Sequence, residues 1–105
     1  MAENKNIQGV LTLLGFAQKG KMLVAGDANV DAYLKKDKVV LLIMASDLAE
    51  NRKNEWRLRA ANAGIELIEI SDKLQLGIAV GMSPRTIIGV IDQQMAQAIV
   101  KKLQA

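Results

Sequence analysis

The sequence predicts an α/β protein, a three-layer α/β/α sandwich built around a central mixed sheet of about four strands. Helix-like and strand-like periodicity alternate from one end of the chain to the other. The segment "KVVLLIMA", residues 38–45, is apolar without alternation, which is the pattern of a strand buried on both faces. Glycine, aspartate or serine stands at nearly every switch between the two patterns, where helices begin and end. Elements in this order bury their apolar faces by placing helices on both sides of one sheet.

Ile7, Val10, Leu11 and Leu14 recur at helical spacing, and Gly20 interrupts that helix after Gln18 and Lys19. "MLVA" (22–25) is a short strand. Gly26 or Asp27 then caps a second helix with Val30, Tyr33 and Leu34 on its apolar face. The buried strand 38–45 leads into a third helix over 47–63. Trp56, Ala60 and Ala63 fall on one face of this helix, Arg52, Lys53, Arg57 and Arg59 largely on others, and Gly64 ends it. "IELIEI" (65–70) is a strand, Ser71 or Asp72 caps a helix through Val80, "TIIGVI" (86–91) is the last strand, and Asp92 opens a helix to about Leu103. Val40, Leu42, Ile68, Ile70, Ile88 and Val90 are expected in buried strands.

A chain of 105 residues that is 50% apolar is long enough for one core and too short for two, so a single domain over 1–105 is expected. The longest apolar run, Val39 to Ala45, falls far short of the ~20 residues a membrane span requires. The opening "MAENKNIQ" lacks a signal peptide's apolar core, and a soluble cytoplasmic protein is expected. With no cysteine and no histidine, disulfides, thiolate zinc sites, cysteine nucleophiles and histidine bases are all excluded, and no metal, cofactor or catalytic residue is assigned. The net charge of +3 leans towards a polyanionic partner.

Sites on such folds gather where strand ends meet the loops into helices, here 26–29, 45–51, 70–74 and 82–85. The glycines of "LGFAQKGK" and "LGIAVGMS" match neither nucleotide-binding glycine pattern. Asp47 follows a strand, as a phosphoacceptor does, but the acidic pair that would hold magnesium is missing, so Asp47 is read as the cap of the third helix. Lys19, Lys21, Lys35, Lys36, Lys38 and Arg85 bracket three of the loops, whereas Lys101 and Lys102 meet the last helix's dipole. Phe16, Tyr33 and Trp56 are too few to make a base-stacking platform.

"LLGFAQKGKMLVAG", "KVVLLIMASDLAEN", "GIELIEI", "LGIAVG" and "IIGVID", in that order, resemble the L-seven-Ae family of ribosomal proteins, most closely its small bacterial YlxQ-type branch. The resemblance spans nearly the whole chain. Gly26, the strand ending Ala45 to Asp47, and Leu76, Gly77 and Gly81 carry it most specifically.

The resemblance implies the same sandwich and a non-enzymatic function: binding structured RNA, commonly kink-turns, in ribosomes and other ribonucleoproteins, with ribosomal proteins as further partners and no membrane or small-molecule substrate. It implies that the tip of the second helix and the loop before the last strand face the RNA. The candidate RNA-binding residues are therefore Lys19, Lys21, Gly26, Asp27, Asn29, Lys35, Lys36, Met82, Ser83 and Arg85.

The family's motif is degraded in this chain. Of the positions after Gly26 that the family uses for recognition, Asn29 can read a base edge, but Ala28 and Ala32 offer neither hydrogen bond nor charge. Asp27 and Asp31 oppose phosphate at a helix end whose dipole attracts it. Lys35, about 4.5 Å further along the helix axis than Ala32, is placed to substitute for the missing lysine. Met82, Ser83 and Pro84 fill the loop that in the family grips a flipped-out nucleotide, and Arg85 adds a cation. The alternative is a protein-interaction module of the same fold that has lost kink-turn binding.

Overall fold

A computed structural model describes residues 5–105. Residues 1–4, the start of the segment read above as lacking a signal-like core, lie outside the described residues. The order is α1 (Lys5–Lys19), β1 (Leu23–Ala25), α2 (Asp27–Lys35), β2 (Leu41–Met44), α3 (Glu50–Ala63), β3 (Glu66–Glu69), α4 (Lys73–Ala79), β4 (Ile87–Val90) and α5 (Gln93–Gln104). The four strands form one mixed sheet in the order β1-β4-β2-β3. β4 runs antiparallel to β1 and β2, while β2 and β3 are parallel. β1, β2 and β3 therefore point the same way, and their C-terminal ends lie beside the start of β4.

Alternation along each strand explains the layers, because successive side chains leave opposite faces of the sheet. Leu41 and Ile43 join Ile68, Ile88 and Val90 beneath α1, α4 and α5, among Val10, Leu14, Leu76 and Ile99. Leu42 and Met44 join Ile87 on the other face beneath α2 and α3, among Val30, Trp56 and Ala60. All four β2 residues are buried, as the unbroken apolar run predicts. No helix among the described residues is long and apolar enough to cross a membrane.

Four expectations are corrected. Asp47 does not cap α3, whose N-cap is Ala49 without a side-chain bond. The Asp47 carboxylate instead accepts from the Lys73 backbone N–H at 3.0 Å, at the start of α4, and α3 begins three residues later than expected. Val40 is only half-buried and precedes β2, although its N–H still bonds to Val90 O at 2.8 Å. Ile70 is buried just past the end of β3, with its N–H on Met44 O at 2.9 Å. Ala63 is exposed, because the chain turns back at Gly64 with the Ile65 N–H on Ala60 O and leaves the last α3 turn outside.

The expected caps at Asp72 and Asp92 are present, each carboxylate accepting a backbone N–H three residues on at 2.8 Å. Asp92→Ala should cost about 1 kcal/mol, the usual worth of such a cap, measured by urea denaturation.

Candidate nucleic-acid interface

The sheet topology brings all four predicted loops to one rim, where backbone hydrogen bonds stitch them together. Gly26 N–H donates to Ile87 O at 3.0 Å and Ala45 N–H to Thr86 O at 2.9 Å. Ser46 N–H donates to Ser71 O at 2.9 Å and Arg85 N–H to Lys73 O at 3.0 Å. Every loop on the rim is thus held by a neighbour from a distant part of the chain.

Gly26 makes the sharp entry into α2. Its φ of 96° and ψ of 149° are reached readily only without a Cβ, and its carbonyl accepts the first helical bond from Val30 N–H at 2.9 Å. No side chain among the described residues caps α2, so the first N–H groups of the helix stay available to an anion. Ala25 to Asn29 and Pro84 to Thr86 together line an open depression of about 390 Å³ in front of this tip.

Within the depression, the Asn29 side-chain amide donates to Ala25 O at 3.1 Å, which fixes its orientation while its carbonyl stays free to accept. The Arg85 guanidinium folds over its own turn, Nη1 donating to Ser83 O at 3.1 Å, Ser83 Oγ at 2.8 Å and Pro84 O at 3.1 Å. Its Nε lies 3.9 Å from where a Cβ on Gly26 would be, so the cation is held above the helix tip.

The acids that the sequence set against phosphate are neutralised. Asp27 pairs with Arg52 of α3 and accepts from Thr86 Oγ1 at 3.1 Å. Asp31 meets Lys35 at 3.1 Å and Arg59 at 3.7 Å. Such exposed pairs contribute little stability, but they cancel charge where an anion approaches. Behind them lies a second depression of about 480 Å³, lined by Asp27, Ala28, Asp31, Arg52, Glu55, Trp56 and Arg59, where the Arg59 guanidinium sits 4.4 Å from the Trp56 ring centre.

At the end of β3, the Lys53 ammonium donates to Glu69 at 2.7 Å and holds its carboxyl below the ordinary glutamate range, with Arg57 on the other oxygen at 3.1 Å. That pairing stabilises the fold above the ordinary glutamate pKa, and the contribution is lost as pH falls through the lowered value.

The predicted site residues divide into two groups. Gly26, Asp27, Asn29, Ser83 and Arg85 come together at the rim. Met82 lies beside them but turns partly into the core under α1 and α4, so the exposed loop tip is Ser83 and Pro84. Lys35 and Lys36 sit at the far end of α2, whose nine residues span about 13 Å, with Lys36 5.8 Å from the Tyr33 ring centre. Lys19 and Lys21 precede β1, whose start pairs with Val90 at the opposite end of the sheet from Gly26. None of these four lysines is at the rim.

Sequence reasoning missed two basic residues there. Lys73, exposed at the start of α4, has its backbone bonded to both Asp47 and Arg85. Arg52 was placed on an outer helix face, and only the packing of α3 beside α2 reveals its contact with Asp27. A cation in the first turn after a rim loop was the one available signal.

Comparison with known proteins places the family and the fold. Residues 8–100 match the model of the "Ribosomal protein L7Ae/L30e/S12e/Gadd45 family". An RNA-binding protein YlxQ from Enterococcus faecium is 23% identical over 92 residues, covering 88% of each chain. A Bacillus halodurans protein of unknown function superposes with a TM-score of 0.86 at 25% identity, over 91% of this chain and 97% of that one. The Giardia lamblia 15.5kD RNA binding protein superposes with a TM-score of 0.79 at 18% identity, over 99% and 89%, and shares the fold. With the family's model matching residues 8–100 of the chain and the same sandwich in its structural neighbours, the chain belongs to the ribosomal protein L7Ae/L30e/S12e/Gadd45 family.

Proposed function

We propose that this protein binds structured RNA of the kink-turn type through the α2 tip and the turn between α4 and β4, as a ribosomal or ribosome-associated protein. The observation that carries the reading is the uncapped α2 N-terminus beside Asn29 and the clamped Arg85, with its nearest carboxylate neutralised by Arg52. Helix-end N–H groups and Arg85 favour phosphate, and the free Asn29 carbonyl with its second amide hydrogen can read a base edge. The names of the Enterococcus and Giardia relatives agree with RNA as the ligand.

Two substitutions test the tip. Asn29→Ala should remove a base contact worth about 1 to 3 kcal/mol and lower the preference for kink-turn over plain duplex RNA. Ala32→Lys, on an exposed position one turn along the same helix, should raise kink-turn affinity more than duplex affinity. If the first leaves the preference unchanged and the second raises both affinities alike, the tip is only a helix end. The protein-interaction reading, favoured by Ala28 and Ala32 at positions that elsewhere carry recognition groups, then takes over.

Arg52→Ala supplies an electrostatic test of the same site. Asp27 would face the RNA uncompensated, so affinity should fall several-fold at low salt and by less as salt screens the carboxylate. Equal loss at every salt concentration would show that Arg52 acts through structure instead.

A further inference from the structure

We propose that the end of the molecule opposite the α2 tip is a second phosphate-binding surface, which holds a duplex arm of the same folded RNA. The inference rests on the RNA-binding reading above but not on kink-turn recognition by the tip.

Five exposed lysines, Lys19, Lys21, Lys35, Lys36 and Lys38, lie in the two turns at that end. The turns are neighbours: Ile91 N–H donates to Met22 O and Val40 N–H to Val90 O, both at 2.8 Å, so the turns flank the end of β4 on either side. Two strand spacings, about 10 Å, separate their backbones, within reach of long side chains covering one surface.

Backbone bonds hold both turns in shape. In the first, Gly20 N–H meets Phe16 O at 3.0 Å and Met22 N–H meets Ala17 O at 2.8 Å. In the second, Asp37 N–H meets Leu34 O and Lys38 N–H meets Tyr33 O, each at 3.0 Å. The lysines are thus presented from fixed positions.

The local charge balance is positive. Lys35 alone of the five is in an ion pair among the described residues, with Asp31. Asp37 and Asp92 are the nearby carboxylates, and Asp92 is engaged in capping α5. Glu66 lies further out, on the edge strand β3. Among the described residues, Phe16, 58% exposed in the last turn of α1, and the half-buried Tyr33 ring beside Lys36 are the large apolar side chains at the edge of the patch, too little for the apolar centre of a protein interface. Lysines without an apolar centre suit phosphate, which they meet as hydrated point charges regardless of sequence.

Geometry separates this surface from the tip. The N-terminus of α2 points at the rim and its C-terminus carries Lys35 and Lys36 away from it, while Lys19 and Lys21 come from α1 on the other face of the sheet. One straight duplex docked end-on to the tip leaves the lysines untouched. An RNA that bends, or sends a second arm back along the protein, reaches both.

The test combines Lys19→Gln, Lys21→Gln, Lys36→Gln and Lys38→Gln in the intact chain and titrates it with two RNAs, one kink-turn with short helical arms and the same kink-turn with long arms. The wild-type protein should bind the long-armed RNA roughly tenfold more tightly at low salt, and the variant should lose that gain, its log–log salt slope falling by about 3. Its affinity for the short-armed RNA should stay within about twofold of wild type. Equal losses on both RNAs, or no gain from long arms in the wild type, would overturn the second surface. Asn29→Ala, titrated with the short-armed kink-turn and with a plain duplex, separates the two readings: if it leaves the preference for kink-turn over duplex intact while the lysine variant loses the long-arm gain, the tip reading fails and the second surface stands.

Discussion

Gly77→Ala should destabilise the protein by about 3 kcal/mol and all but abolish RNA binding, although Gly77 is buried. It lies in α4, and a Cβ there would stand 2.4 Å from Ser83 O, 2.8 Å from Ser83 C and 2.9 Å from Pro84 Cα. All three are backbone atoms of the turn that carries Arg85, and the turn is anchored by Met82 N–H on Gly77 O at 2.8 Å. A side chain could rotate away, but a backbone has to move as a unit, which puts the cost at the upper end of core overpacking, about 1 to 3 kcal/mol or more. The same movement carries Pro84 and Arg85 off the α2 tip, so binding should fall further than in Asn29→Ala. Urea denaturation and an RNA titration measure both effects. Ser83→Ala, which removes one acceptor from Arg85 and leaves the backbone in place, should be close to neutral for stability. Wild-type stability in Gly77→Ala would show that the turn is free to shift.

Trp56→Ala should cost about 3 to 5 kcal/mol, the usual range for emptying a buried aromatic site. Trp56 is 1% exposed, packs with Val30, Leu42, Met44 and Ile87, and is the larger of the two α3 side chains buried against the sheet, the other being Ala60. Its indole Nε1 is buried without a hydrogen-bond partner among the described residues. An unsatisfied donor carries a desolvation cost of about 1 to 3 kcal/mol, which phenylalanine would not incur. Trp56→Phe should therefore lose much less than the area difference implies, and Arg59 would still have an aromatic face to lie against. Because Trp56 is the only tryptophan, circular dichroism has to follow these unfolding curves. A loss in Trp56→Phe as large as in Trp56→Ala would mean that the indole nitrogen is satisfied in solution.

Both effects depend on contacts between distant segments, and this is where reading the chain in order reached its limit. The "VVLLIMA" run announced a doubly buried strand because burial on both faces leaves no polar position. Asp72 and Asp92 announced their helices because a cap acts within three residues. Asp47 looked like a third such cap, yet its carboxylate bonds to Lys73, 26 residues away, and nothing local distinguishes the two outcomes. The same limit applied to charge. Asp27 and Asp31 read as obstacles to phosphate until the packing of α3 brought Arg52 and Arg59 against them.

The sequence by itself determined the layers, the order of the elements and the set of loops able to carry a site, since periodicity and capping are properties of neighbours along the chain. Only the tertiary structure decided which loops and charges share a surface. Strand direction sets which ends of the elements meet, and with β4 antiparallel to β1 and β2 the rim gathers Gly26, Asn29, Arg85 and Arg52. The same topology sends Lys19, Lys21, Lys35 and Lys36 to the other end of the sheet, although in sequence they bracket Gly26 on both sides.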